Sequence, residues 1–111
     1  MCLFCKIARG ELPARIAYEN QELVVFHDTN PQAPTHLLVI PRKHVASLSE
    51  AEPGDEALLG KLLLAARNIA ETLGVHDGYR VVVNNGAHAG QSVPHLHVHL
   101  LAGRRMRWPP G

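Results

Sequence analysis

A chain of 111 residues with a formal net charge of +1 is too short for two ordinary domains. It also carries no long run of one sign, which removes nucleic acid as the main partner. A hydrophobic fraction of 46% against 19% charged excludes disordered and collagen-like chains and predicts one compact domain over residues 1–111. The stretch free of Asp, Glu, Lys and Arg, residues 81–103, contains Asn84, Asn85, Gln91, Ser92 and four histidines, so it predicts no membrane span. The opening Met1-Cys2-Leu3-Phe4-Cys5-Lys6 has no basic region followed by an apolar one, which predicts a cytoplasmic chain.

Residues 4–9 suit a short helix ended near Gly10, with Pro13 preventing its continuation. Two strands follow over 16–19 and 23–28, and a β-branched and leucine run over 36–40, closed by Pro41, gives a third. Over 55–73 the residues Leu59, Leu62, Leu63, Ala66, Ile69, Ala70 and Leu73 recur at steps of three and four, which predicts one long amphipathic helix. Asp55 and Glu56 suit its N-terminus, and Gly74 suits a left-handed residue just past its end. Strands over 79–83 and 95–101 complete an α+β domain: an antiparallel five-stranded sheet, one long helix and one short N-terminal helix.

Histidine is the unusual component, with eight in the chain. In a strand, His95, His97 and His99 share one face at spacings of ~6.7 Å, while Leu96, Val98 and Leu100 take the other. One face then packs a core and the other is free for chemistry. A neutral imidazole can accept a proton, bind a metal or attack phosphorus near neutral pH. A purely structural role suits a lone histidine better than three in alternation. A metal site is the other reading, although no carboxylate lies nearby in sequence to complete a catalytic one. Cys2-x-x-Cys5 has the spacing of half a tetrahedral zinc site, and His44 is a ready third ligand.

The His95-x-His97-x-His99-Leu100-Leu101 run, Gly90-Gln91-Ser92-Val93 before it, and Pro34-Thr35-His36 leading into Leu38-Val39-Ile40-Pro41 resemble the histidine triad (HIT) family over essentially the whole chain. The ending Met106-Arg107-Trp108-Pro109-Pro110-Gly111 is similar to the Hint branch, whose members are homodimeric purine nucleoside phosphoramidases. The resemblance implies a dimerising HIT-like fold and cleavage of adenosine 5′-monophosphoramidate-type substrates through a covalent nucleotidyl-histidine at His97. Catalytic roles then fall to His97, His99, Ser92 and His36. Phe26, His27, Asp28, Asn84, Gly90, Gln91, Ser92, His99 and Trp108 would contact a purine nucleotide of the AMP or GMP type. Asp28 would receive the ribose hydroxyls, and Gly90 and Gln91 would offer donors to the phosphate. Retention of His99, where the transferases of the superfamily carry glutamine, implies hydrolysis. Members with the Cys pair bind structural zinc, which maps onto Cys2, Cys5, His44 and His95. The Trp108 tail would reach the partner subunit's site. A dinucleoside polyphosphate hydrolase, whose branch lacks that tail, and a non-catalytic nucleotide-binding module are the competing expectations.

Overall fold

The computed structural model describes residues 2–111. Its elements are α1 (Leu3–Ala8), β1 (Ile16–Glu19), β2 (Leu23–His27), β3 (Thr35–Pro41), α2 (Glu56–Thr72), β4 (Tyr79–Val82) and β5 (Val98–Ala102), with short 3-10 turns at Leu48–Glu50, Pro53–Asp55 and Ala87–Ala89. The five strands form one antiparallel sheet, as the sequence predicts, and the structure sets their order as β1-β2-β3-β5-β4. Among the described residues, no helix is long and apolar enough to cross a membrane.

The central strands read as unbroken apolar runs because both faces of the sheet are covered. Leu23, Val25, Leu37, Val39, Val98 and Leu100 pack with Leu62, Ala66, Ile69 and Ala70 of α2. On the opposite face Val24, Phe26, Leu38 and Ile40 pack with Phe4 and Ala8 of α1. Leu37, Ile40 and Leu100 are fully buried, and each such side chain contributes about 2 kcal/mol of transfer free energy. Strand alternation therefore sends Leu96, Val98 and Leu100 toward α2 and the triad histidines toward α1.

Helix α2 begins one residue later than predicted. Asp55 belongs to the preceding 3-10 turn, where its buried carboxylate accepts from Glu52 N–H at 3.0 Å and Lys43 Nζ at 2.6 Å. Both bonds hold that carboxyl below its ordinary pKa, the backbone one foremost. At the other end Gly74, at φ +73°, lets its own N–H reach Glu71 O and Val75 N–H reach Ala70 O, both at 3.0 Å, which satisfies the last carbonyls. Two members of the predicted apolar stripe, Leu63 and Leu73, lie about half exposed, joined by Leu64, Tyr79 and Val81. The stripe thus serves the core along one edge only.

The last strand is shorter than predicted, starting at Val98 rather than at 95. Pairing with β3 ends at Val39↔Val98, because Leu96 N–H turns away to Val45 O at 2.6 Å and His95 N–H to Val93 O at 2.8 Å. His95 and His97 consequently sit in an extended segment tethered to residues 45 and 93. The predicted alternation of faces survives there without a sheet partner.

Candidate functional site

Four imidazoles gather on the α1 face of the sheet, and their hydrogen-bond partners fix their tautomers. His97 Nδ1 lies 2.7 Å from His95 O, and a carbonyl only accepts, so Nδ1 carries the proton and Nε2 the lone pair. That Nε2 has no protein partner among the described residues. The ring is 5% exposed, between Phe4 at 5.1 Å and His99 at 5.0 Å, both edge-on. Where the sequence suggested an open histidine, the structure gives a walled one with a single free nitrogen. Phe4, carried on α1, is the residue sequence reasoning missed here, although its place on the apolar side of the first helix was a signal.

His36 and His99 form the next link. Gln32 N–H donates to His36 Nδ1 at 3.0 Å, so the His36 proton is on Nε2, which donates to His99 Nδ1 at 2.9 Å and faces Asp28 Oδ2 at 3.3 Å. His99 must then carry its proton on Nε2. That atom is buried and without a partner, and no other described side-chain nitrogen or oxygen is both sealed from solvent and unpaired. An unpaired buried donor is costly, and such a group in a native structure calls for an explanation such as a catalytic role or a bound water or ion. Burial lowers the His36 pKa against the opposing pull of Asp28. Burial, then the neighbouring His97 and His36, lower that of His99 to about 4. Both rings are neutral at pH 7.

The remaining nucleotide-contact candidates split. Asp28, at the end of β2, accepts from Asn30 N–H at 2.8 Å and keeps capacity for further donors. His27 is half-buried, its pKa lowered by burial and by Arg15. Phe26 is buried, its ring edge-on to Phe4 at 5.5 Å, so it packs the core and presents no open stacking face. Ser92 is exposed at the head of the triad segment, with its hydroxyl free of partners among the described residues, and Gly90 holds the loop's left-handed turn at φ +91°. Gln91 does not offer its amide outward. Both Nε2 hydrogens go to main-chain carbonyls, Ala46 O at 2.8 Å and Val93 O at 3.0 Å. Asn84 is half-buried, whereas Trp108 is 82% exposed, beyond an Arg80 Nη2 to Arg107 O bond of 2.9 Å. A groove of about 870 Å³ lies apart from the triad, between residues 74–80 and 103–106.

Cys2, Cys5, His44 and His95 do come together, with one ligand atom each within 4.8 Å of the others. His95 Nε2–H donates to Pro41 O at 2.8 Å, which leaves Nδ1 as a lone pair facing Cys2 Sγ at 3.4 Å, Cys5 Sγ at 3.5 Å and His44 Nδ1 at 3.2 Å. Cys5 Sγ lies 3.2 Å from His44 Nδ1. A tetrahedral zinc with bonds of about 2.3 Å to sulfur and 2.05 Å to nitrogen separates its ligand atoms by about 3.3–3.8 Å, so the cluster has the dimensions and donor set for that ion. Burial and the adjacent Cys2 raise the Cys5 thiol pKa, while burial keeps His95 neutral. The Pro41 and Gln32 main-chain groups that set these tautomers left no side-chain signal in the sequence.

Residues 9–106 match the HIT domain family. An uncharacterised HIT-like protein of Synechocystis is 54% identical over 109 residues, covering 98% of this chain and 96% of its own length. Among solved structures, a HIT family hydrolase from Legionella pneumophila superposes with a TM-score of 0.98 at 48% identity, over 100% of both chains. A histidine triad nucleotide-binding protein from Candida albicans gives 0.84 at 32% identity over 98% of this chain and 83% of its own. A zinc-bound histidine triad family protein from Mycobacterium smegmatis gives 0.80 at 32% identity over 94% and 76%. With its triad, its sheet order and these likenesses agreeing, this chain belongs to the HIT domain family.

Proposed function

We propose that the protein is a hydrolase that cleaves the phosphorus–nitrogen bond of purine nucleoside phosphoramidates, with His97 as nucleophile. The observation that carries this reading is the His97 Nδ1–H bond to His95 O, which leaves Nε2 an unpartnered lone pair beside the unsatisfied donor of His99. In the first step Nε2 forms a bond to the α-phosphorus, the P–N bond breaks, and the amine leaves with a proton drawn from solvent, to which the attacking water returns one in the second step. The His97 ring then bears positive charge, which the His95 carbonyl stabilises through Nδ1–H. In the second step water attacks the same phosphorus, the N–P bond breaks, and His97 is restored as the mononucleotide departs. One phosphoramidate and one water thus give one mononucleotide and one amine.

His99 Nε2–H donates to a phosphoryl oxygen. It does so uncharged, since burial, then His97 and His36, hold the ring neutral. His36 fixes the His99 tautomer, Ser92 meets the phosphate or the leaving amine, and Asp28 with His27 receives the nucleoside. The nucleotide-binding name of the Candida neighbour and the hydrolase name of the Legionella one support this class of ligand and reaction.

Cys2, Cys5, His44 and His95 hold a structural zinc in this reading, supported by the ligand spacing and the zinc-bound Mycobacterium neighbour. The ion when bound fixes the first triad residue and takes no part in the bond changes. The exposed Leu63, Leu64, Tyr79 and Val81 on α2 and the edge strand β4 form the seam of a homodimer. Mass spectrometry of a quenched turnover of adenosine 5′-monophosphoramidate tests the mechanism. A nucleotidyl adduct on His97 is expected, and turnover with an adduct on another residue overturns it.

A further inference from the structure

We infer that Gln91 is a positioning residue, which sets the shape of the loop between β4 and β5 from behind and does not itself donate to the phosphate. Its side chain is consumed by main-chain groups at both ends. The two Nε2 hydrogens go to Ala46 O and Val93 O, and Oε1 accepts from Gly86 N–H at 2.9 Å. Gln91 N–H returns to Gly86 O at 3.1 Å, so Gly86 and Gln91 are joined twice and close the loop around the Ala87–Ala89 turn. A primary amide has two hydrogens, and none is left for a ligand. Gln91 is also half-buried, between the exposed Gly90 and Ser92.

The two carbonyls it reaches matter for the site. Val93 O also accepts from His95 N–H at 2.8 Å, and Ala46 follows Val45, whose carbonyl accepts from Leu96 N–H. One amide therefore ties the loop carrying Ser92 to the segment that enters the triad and to the strap that starts at His44. A second stitch runs the same way, from Ser49 N–H to Asn85 Oδ1 at 2.9 Å. With its own hydroxyl unpartnered, Ser92 takes its position from the loop, and hence from Gln91. The part of this inference that concerns Ser92 rests on the hydrolase reading above.

The test uses Gln91→Ala, Gln91→Met, Ser92→Ala and the Gln91→Ala/Ser92→Ala double variant. In the ligand-free protein, Gln91→Ala and the near-isosteric Gln91→Met are both expected to speed hydrogen exchange at Gly86 and Gln91 by about tenfold, the scale of one lost hydrogen bond. Unchanged protection in both overturns the brace. In turnover of adenosine 5′-monophosphoramidate, Gln91→Ala and Ser92→Ala should each lower kcat/KM, and the double variant should fall less than about twofold below the worse single one, since both act through one element. Losses that multiply would instead make Gln91 an independent donor to the substrate and overturn the positioning role. If the native protein does not hydrolyse this substrate, the hydrolase reading fails, and the exchange measurement still decides the brace.

Discussion

The two corners of the triad segment use the same residue type to opposite ends. His95 donates from Nε2 to Pro41 O and turns Nδ1 toward two thiols and another imidazole. His97, two residues on, donates from Nδ1 to His95 O and keeps Nε2 free. In each case one carbonyl selects the tautomer, and the tautomer decides whether the ring offers its near or far nitrogen. The two corners are also linked, because the carbonyl that orients His97 belongs to His95. What a histidine does here is set by the main-chain group behind it.

Breaking the phosphoryl corner should have the largest effect. His97→Ala is expected to lower turnover of adenosine 5′-monophosphoramidate at least about a hundredfold, the scale for loss of a catalytic group. Steady-state kinetics at the native rate would remove His97 from the chemistry. Breaking the corner we propose to hold zinc should act on stability first. About one zinc per chain is expected in purified protein by atomic absorption, and Cys2→Ser should lose it and melt about 10 °C or more lower, since binding free energy at such a site is folding free energy. A metal-free native sample whose melting temperature ignores Cys2→Ser would end the zinc assignment.

The contrast between corners also shows what a sequence makes legible. Alternation along residues 95–101 correctly assigned faces, because the period of two persists wherever the chain is extended. It misplaced the start of the strand, because the choice of Leu96 N–H between β3 and Val45 O is a tertiary matter. The Cys2-x-x-Cys5 spacing suggested half of a zinc site, and the structure brings His44 and His95 within reach of the pair from 39 and 90 residues beyond Cys5. The family resemblance made Gln91 a donor to the phosphate, whereas its hydrogens are spent on carbonyls that no side-chain pattern reveals. Leu63 and Leu73 fit the helical period of the core, but α2 offers the sheet a stripe narrower than its apolar face.

Acid should sharpen the comparison further, with a smaller effect. His99 has a pKa near 4 in the folded chain, from burial first and then from His97 and His36, against about 6.5 when unfolded. Its contribution to stability is therefore complete above about pH 6.5. It is lost as pH falls toward 4, because the unfolded state binds the proton that the folded state refuses. His99→Gln removes this titration while His36 and His95, lowered in the same direction, remain. The drop in melting temperature between pH 7 and pH 4.5 should be smaller in His99→Gln than in the native protein by several degrees, up to about 10 °C if the whole difference in proton binding is expressed. An equal drop in both would place the acid sensitivity elsewhere, in the metal corner above all.

The smallest change is expected where the chain leaves the sheet. The tail after β5 is held by Arg80 Nη2 on Arg107 O, and beyond that bond Trp108 is almost entirely exposed. So little of the tail is packed that removing residues 108–111 should leave the melting temperature within ~2 °C, the scale of a surface change. An exposed tryptophan is nonetheless a strong contact for a partner surface, and in the proposed homodimer we take that surface to be the second subunit's site. Truncation should therefore shift relative kcat/KM across a panel of leaving amines by severalfold, worth about 1 kcal/mol, while the rate of hydrolysing a preformed His97 adduct stays the same, since the amine has already left by then. If all amines slow equally, the tail acts on folding or dimerisation, and selectivity rests on Ser92 and its loop alone.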